Sequence, residues 1–266
     1  NLKGKELFIP RPATISVASD EEQNLVCRVR CDNSMLVEKC EVFFATDNYD
    51  YVTRDWCPAP LKKVVNANES EHYLDVYEKT SLLFVVCNVT YSSGFTVWSK
   101  IAVKKISGKF RNSLAKSKII YNNQFGPECF VVNDDATNAV SGAFLPDDEA
   151  FPNLIEMNGL TGVYSKYGLK TNRIKSPQFL PSQDSILKFD ITADNNEVVE
   201  VMLKSRTDGN IYSVKLNVIG GVWQSQMLSA KTLKNQNGVS LVSYTQCDTL
   251  IIVCSGKFAL NNLIWL

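Results

Sequence analysis

The chain has one histidine, His72, and no net charge: 28 lysines and arginines stand against 28 aspartates and glutamates. That balance creates no long-range field for nucleic acid or an anionic membrane, so composition favours neither partner. Serine or cysteine nucleophiles need a neighbouring base, usually histidine, and the single histidine, His72, falls in a predicted strand of the first, smaller part. A Gly-x-Ser-x-Gly elbow is missing, and Ser92-Ser93-Gly94 reads as a turn because no glycine precedes it. Phosphate-cradling loops are missing too; Gly220-Gly221 is a turn at a strand start. No paired CxxC occurs, so zinc is not expected. The longest apolar runs, such as Leu82–Cys87 and Leu250–Cys254, are strand-sized and fall well short of the roughly 18 residues of a membrane span. The first residues, NLKGKELFIP, lack the apolar centre of a signal peptide, which leaves a cytosolic protein, a mature chain or an excised fragment all open.

Helical periodicity is nearly absent. What is present is a succession of short runs rich in Val, Ile, Phe and Tyr, broken by Gly, Pro, Asn and Asp, in a chain that is 45% hydrophobic and able to bury a core. Strands are predicted near Thr14–Ser16, Asn24–Cys31, Cys40–Ala45, Leu61–Val65, His72–Val76, Leu82–Thr90 and Thr96–Val103, enough for one immunoglobulin-sized sandwich over residues 1–108. The polar, basic segment Lys104–Lys118 interrupts the pattern and marks a boundary; without interleaved aromatics it is not a nucleic-acid surface. Beyond it, residues 113–266 hold further strand candidates with clean alternation, as in ILKFDITA and VVEVMLKS. They include Ile119–Asn122, Cys129–Asn133, Thr161–Tyr164, Leu169–Ile174, Val222–Leu228, Val239–Tyr244 and Phe258–Trp265, with Asp208-Gly209 as a hairpin turn. Two packed antiparallel sheets, a jelly roll, accommodate this many strands. The fold class expected is therefore all-β, a smaller sandwich followed by a larger one.

The eight cysteines keep step with aliphatic residues: Leu25, Cys27, Val29 and Cys31 share a face, as do Cys40, Val42 and Phe44, and Leu250, Ile252 and Cys254. Cysteines in that phase fill a core as small hydrophobes, and free thiols are the favoured reading. An even count also fits a disulfide framework, in which Cys27–Cys87 would suit a bridge across a sandwich. The sequons Asn68-Glu69-Ser70 and Asn88-Val89-Thr90 are read as coincidence, since Asn88 lies inside a predicted strand.

Two stretches carry family resemblance. The strand LLFVVCNV, the turn YSSG and the strand beginning at Phe95 resemble the last hairpin of a fibronectin type III domain, and CEVFFATDNYDYVTRDW resembles its middle. The segments GLTGVYSKYGLKTNRI, VWQSQMLSAKTLKN and LIIVCSGKFALNNLIWL, with Asn261, Asn262 and Trp265 near the end, resemble carbohydrate-binding-module-like jelly rolls. Such modules accompany bacterial plant-polysaccharide-degrading enzymes and esterases. The resemblance implies a secreted, extracellular, non-catalytic module, part of a longer polypeptide, that binds plant cell-wall polysaccharide and serves an attached or neighbouring catalytic domain.

Sugar recognition needs a ring face to cover the apolar side of a pyranose and polar groups to take its hydroxyls. The candidates are Tyr164, Tyr167, Tyr121 (with Phe125) and Tyr212 for the rings, and Asn172, Arg173 and Gln178 for the polar contacts. Trp223 and Trp265 are expected to face the core. In the first part, Tyr49, Tyr51 and Trp56 gather around Arg54 as a ligand or docking surface. Asp134, Asp135, Asp147 and Asp148, in a predicted loop from Asn133 to Asn158, are a solvated surface, a weak calcium site, or paired carboxylates for glycoside hydrolysis, in that order. No cofactor is expected beyond such a structural calcium. The rival to glycan binding is a structural or protein-interaction module that spaces or stabilises a catalytic neighbour.

Overall fold

The alternating runs become strands in the computed structural model, which describes residues 9–48, 54–133 and 151–266; the helical elements among those residues are short 3-10 turns. The protein is all-β. It divides into two compact units that meet in sequence between Lys116 and Ser117.

The first unit holds β1 (Thr14–Ser19), β2 (Leu25–Arg30), β3 (Val37–Thr46), β4 (Cys57–Pro58), β5 (Leu61–Asn66), β6 (Glu69–Tyr73), β7 (Leu82–Tyr91), β8 (Thr96–Trp98) and β9 (Ala102–Lys105). One sheet has the order β1-β2-β6-β5; the other runs β4-β3-β7-β8, with β9 also on β7. Their pairs are antiparallel, and side chains of period two meet between the sheets. Leu25, Cys27 and Val29 of β2 share a core with Val42 and Phe44 of β3 and with Leu83, Val85, Cys87 and Val89 of β7. The predicted strand Thr96–Val103 is broken at Ser99, whose Oγ accepts the Cys87 N–H at 2.9 Å. The break lets β8 pair with the far half of β7 and β9 with its near half.

The second unit holds β10 (Ile119–Tyr121), β11 (Val131–Val132), β12 (Asn153–Met157), β13 (Leu160–Tyr164), β14 (Leu169–Thr171), β15 (Ile186–Ala193), β16 (Glu197–Ser205), β17 (Ile211–Val218), β18 (Gln224–Ser229), β19 (Cys247–Cys254) and β20 (Phe258–Trp265). A six-stranded sheet has the order β12-β13-β20-β15-β18, with β10 also on β20, and a five-stranded sheet the order β11-β14-β19-β16-β17. From β13 onward the chain changes sheet at almost every connection, as a jelly roll does. Leu187, Phe189 and Ile191 of β15, Val199, Val201 and Leu203 of β16, and Phe258, Leu260 and Trp265 of β20 fill the space between.

Three further expectations change. The predicted loop Asn133–Asn158 ends in strand β12, joined to β13 by Asn158-Gly159, both at positive φ. An Asn-Gly pair between apolar runs is the usual two-residue hairpin signal. Val239–Tyr244 is not a strand: its backbone makes an isolated bridge from Ser240 to Lys234 while Leu241 plugs the core. The run after Leu169 stops at Thr171, and Arg173–Lys175 turns as a 3-10 helix.

Candidate functional site

Strand β15 turns Leu187, Phe189 and Ile191 into the core, so by the period of two Lys188 and Asp190 belong to the opposite face of the six-stranded sheet. Cross-strand pairing sets Ser225 of β18 on one side of Asp190 and Asn261 of β20 on the other. Between Asn261 and Ile264 strand β20 carries one residue more than β15, a β-bulge. Asn262 in that bulge takes the left-handed conformation, φ 49°, which asparagine tolerates better than most residues. The bulge brings its amide onto Asp190.

Asp190 is consequently saturated on three sides. Lys188 Nζ donates to Oδ1 at 2.6 Å, Ser225 Oγ donates to the same oxygen, and Asn262 Nδ2 donates to Oδ2 at 2.7 Å. Burial opposes ionisation, but the Lys188, Ser225 and Asn262 donors outweigh it and hold the carboxyl below its usual range. A carboxylate has about four acceptor positions, so one remains for a ligand. Asn261 is pinned more tightly: its Oδ1 accepts the N–H groups of Asn123 and Asn262, and its Nδ2 donates to Thr161 O at 3.0 Å.

Trp223, expected in the core, is instead half-buried at the edge of this face. Its Nε1 donates to Met157 O at 2.9 Å, and its ring end lies where a Cβ on Gly162 would stand, 2.8 Å away. Only a residue without a side chain leaves that space. The β12–β13 turn is tied to the same face by Asn158 Nδ2, which donates to Thr192 Oγ1 at 2.7 Å. Trp223, Leu160, Gln224, Ser225, Asp190, Asn261 and Asn262 together line a recess of about 210 Å³. An indole, an aliphatic side chain, amides and one ionised carboxylate therefore converge in a shallow concavity, the chemistry of a site for a neutral polyhydroxylated ring. A single carboxylate held ionised is not the acid–base pair of a glycoside hydrolase, whose acid needs a raised pKa and a second carboxylate at about 5–9.5 Å.

The residues predicted from sequence are distributed elsewhere. Tyr121 is fully buried, edge-on to Phe130 at 4.9 Å, with an unpartnered hydroxyl and a pKa pushed up by burial; no ring face is open to a ligand. Tyr212 is also buried, and its hydroxyl donates to Asp208 Oδ2 at 2.7 Å. Arg173 is an internal strut: it donates to Ile120 O at 2.9 Å and Cys129 Sγ at 2.7 Å, over the rings of Phe125 and Phe179. Asn172 accepts from Thr249 Oγ1 at 2.9 Å, and the Gln178 carbonyl accepts from Ser117 N at 3.0 Å. Tyr164 and Tyr167 are half-buried, the first edge-on to Phe258 and the second beneath Lys166 Nζ at 5.4 Å. None of these seven lines the recess. In the first unit Arg54 stacks 3.8 Å from the centre of the Phe84 ring and donates to Asn48 O. Asp134, Asp135, Asp147 and Asp148, with Tyr49 and Tyr51, lie outside the described residues. Asp190 was legible as the polar phase of ILKFDITA, and Asn261-Asn262 as part of the resemblance; what joins them is the bulge.

No family model and no curated protein matches the sequence. Solved structures similar to the chain include two glycan-locus proteins. SGBP-B from a complex xyloglucan utilization locus in Bacteroides uniformis shares 12% identity at a TM-score of 0.29, over 96% of this chain and 73% of that one. SGBP-B of the Bacteroides ovatus mixed-linkage glucan utilization locus, in complex with a mixed-linkage heptasaccharide, shares 9% identity at a TM-score of 0.24, over 91% of this chain and 49% of that one. The chain thus spans about half the length of the second.

Proposed function

We propose that this protein is a non-catalytic glycan-binding protein whose second unit holds one sugar ring of a neutral polysaccharide in the Trp223–Asp190–Asn262 recess. The observation that carries the reading is the pairing of a half-buried indole with an ionised carboxylate that keeps one open acceptor position, and two amides, on one sheet face. The indole covers the C–H face of a pyranose, while Asp190 accepts from a hydroxyl at its open position and Lys188 and Asn262 retain N–H groups for others. Plant cell-wall polysaccharide is the ligand class proposed, with the protein secreted and targeting an attached or associated enzyme to it. The first unit, as a fibronectin type III-like spacer, presents the second. A structural calcium on the aspartates of the 134–148 segment remains part of the proposal.

Calorimetry and affinity electrophoresis against soluble xylans, mannans, pectins and glucans, with xyloglucan and mixed-linkage glucan among them, test it. Binding to at least one is expected, and Trp223→Ala is expected to weaken it by about tenfold or more, roughly 1.4 kcal/mol. Tyr164→Ala and Tyr167→Ala serve as the comparison: should they abolish binding while Trp223→Ala does not, the site is theirs and not the recess. Silence across the whole panel would leave the spacer reading as the function.

A further inference from the structure

The recess is one end of a longer strip on the same sheet face. Leu187, Phe189 and Leu228 point into the core, so Lys188 of β15 and Met227 of β18 point outward with Asp190 and Ser225. Leu263 and Trp265 fill the core on either side of Ile264, which places Ile264 on the outer face just past the β20 bulge. Lys188 pairs with Met227 on one side and Ile264 on the other, and Ile264 pairs in turn with Ile119 of β10. Residues directly opposite on antiparallel strands hold their Cβ atoms about 4.5–5.5 Å apart, so these four form a continuous row across four strands. The row is apolar and open: Met227 is 63% and Ile119 41% exposed, and Ile264 is half-buried. Lys188 does not interrupt it. Its side chain is only 16% exposed and its Nζ donates to Asp190 Oδ1 at 2.6 Å, so the row receives the alkyl stem and the recess receives the charge.

We propose that the Met227–Lys188–Ile264–Ile119 row is a second subsite for the ligand of the recess, so that the second unit grips several consecutive rings of an extended, neutral, β-linked polysaccharide; this rests on the recess reading. Register supplies the distance. Met227 lies four residues beyond Trp223, about 13 Å along the strand direction, and Ser225, Asp190 and Asn262 stand between the two levels. The face thus carries an indole at one end, hydrogen-bonding groups in the middle and an aliphatic row at the other. That distance exceeds one sugar ring, so a ligand that touches both ends is an oligomer.

The chemistry of the strip narrows the ligand class. A pyranose presents C–H groups on its faces and hydroxyls around its rim, so an apolar–polar–apolar sequence suits successive rings that stay in line. Rings joined through equatorial bonds do so, as in a β-1,4 backbone, whereas an α-1,4 backbone coils away from a sheet face. Lys188 and Asp190 neutralise each other, so the strip selects no acidic sugar. The row also continues directly from residues that line the recess, because Lys188 and Asp190 are alternate residues of one strand.

The test is calorimetry of the full chain with cello-, xylo- and manno-oligosaccharides of two to six rings, and malto-oligosaccharides as the coiled counterpart. In at least one β-1,4 series, affinity is expected to rise by about tenfold or more between the disaccharide and the hexasaccharide. Met227→Ala is expected to remove about fivefold of that gain and to leave the disaccharide's affinity and the melting temperature unchanged. A second readout is direct. Of the chain's four methionines Met227 alone is largely exposed, so with methyl-labelled methionine its resonance, assigned by its loss in Met227→Ala, should shift with the hexasaccharide and not with the disaccharide. Equal affinity for short and long oligosaccharides overturns the subsite, as does a hexasaccharide complex indifferent to Met227→Ala with an unmoved methyl. Binding of the malto-series alone, or silence in every series, overturns it too. The recess is judged separately, by the polysaccharide panel and Trp223→Ala, so it survives a failure of the row.

Discussion

At the scale of single residues, Asp190 shows how position outweighs type. Burial alone would push its carboxyl toward neutrality, yet Lys188, Ser225 and Asn262 each donate to it and the net direction is downward. A group with a depressed folded pKa contributes stability that is present above its unfolded value, near 4, and is lost as pH falls through the folded value. Glycan affinity and the stability of the second unit are therefore expected to stay level between about pH 5 and 8 and to decline below about pH 4. Asp190→Asn keeps the shape but removes the charge that Lys188 neutralises. It should weaken binding by about tenfold and cost about 1–3 kcal/mol in a urea titration. Affinity unchanged by Asp190→Asn, or already falling at pH 6, would remove this carboxylate from the site. Trp223 and Trp265 make the same point. Both sit at strand ends, but Trp265 is in the core and donates to Phe179 O, while Trp223 lies at the recess.

Strands and turns decide what those residues meet. The bulge in β20 supplies the extra residue that aims Asn262 at Asp190, and without it the strand would continue its alternation and carry the amide away. Gly162 in β13 is the complementary device. A Cβ there would stand 2.8 Å from the Trp223 ring, 2.9 Å from Leu260 O and 3.0 Å from Ala259 Cβ. The backbone oxygen cannot give way cheaply, so Gly162→Ala is expected to displace the indole at a cost of about 1–3 kcal/mol. A shifted tryptophan emission, a lower melting temperature and weakened glycan retention should appear together. Normal emission with full retention would mean that the indole does not rest where the recess requires it. Period-two alternation made most of these strands legible in advance. It missed β12, where the Asn-Gly turn was the better signal, and overextended to Val239–Tyr244, whose alternation serves a single plug, Leu241, rather than a ladder.

The whole molecule is two cores on one chain, each closed by its own pair of sheets. A ligand that binds only one folded unit stabilises that unit by linkage and leaves the other unchanged. Scanning calorimetry is thus expected to resolve two transitions, of which saturating glycan raises only that of the second unit, by about 2.7 kcal/mol at a hundredfold excess over Kd. A glycan-induced shift of the first unit's transition would place binding groups there instead. Among the described residues no helix is long and apolar enough to cross a membrane, and the recess is shallow and open rather than a closed cavity, which suits a long chain passing through better than a small molecule held inside.

The order of apolar and polar residues along the chain was sufficient by itself for the all-β class, for most of the strands, and for cysteines that pack as hydrophobes. Those are consequences of a short-range period that each segment carries alone. The partners of Asp190, the outward place of Trp223 and the burial of Tyr121 depend on register, on one bulge and on which strands lie side by side. Residues from 160 to 262 become neighbours in the recess only when the sheets pair. Local sequence cannot encode a distance between segments that far apart; pairing and packing supply it.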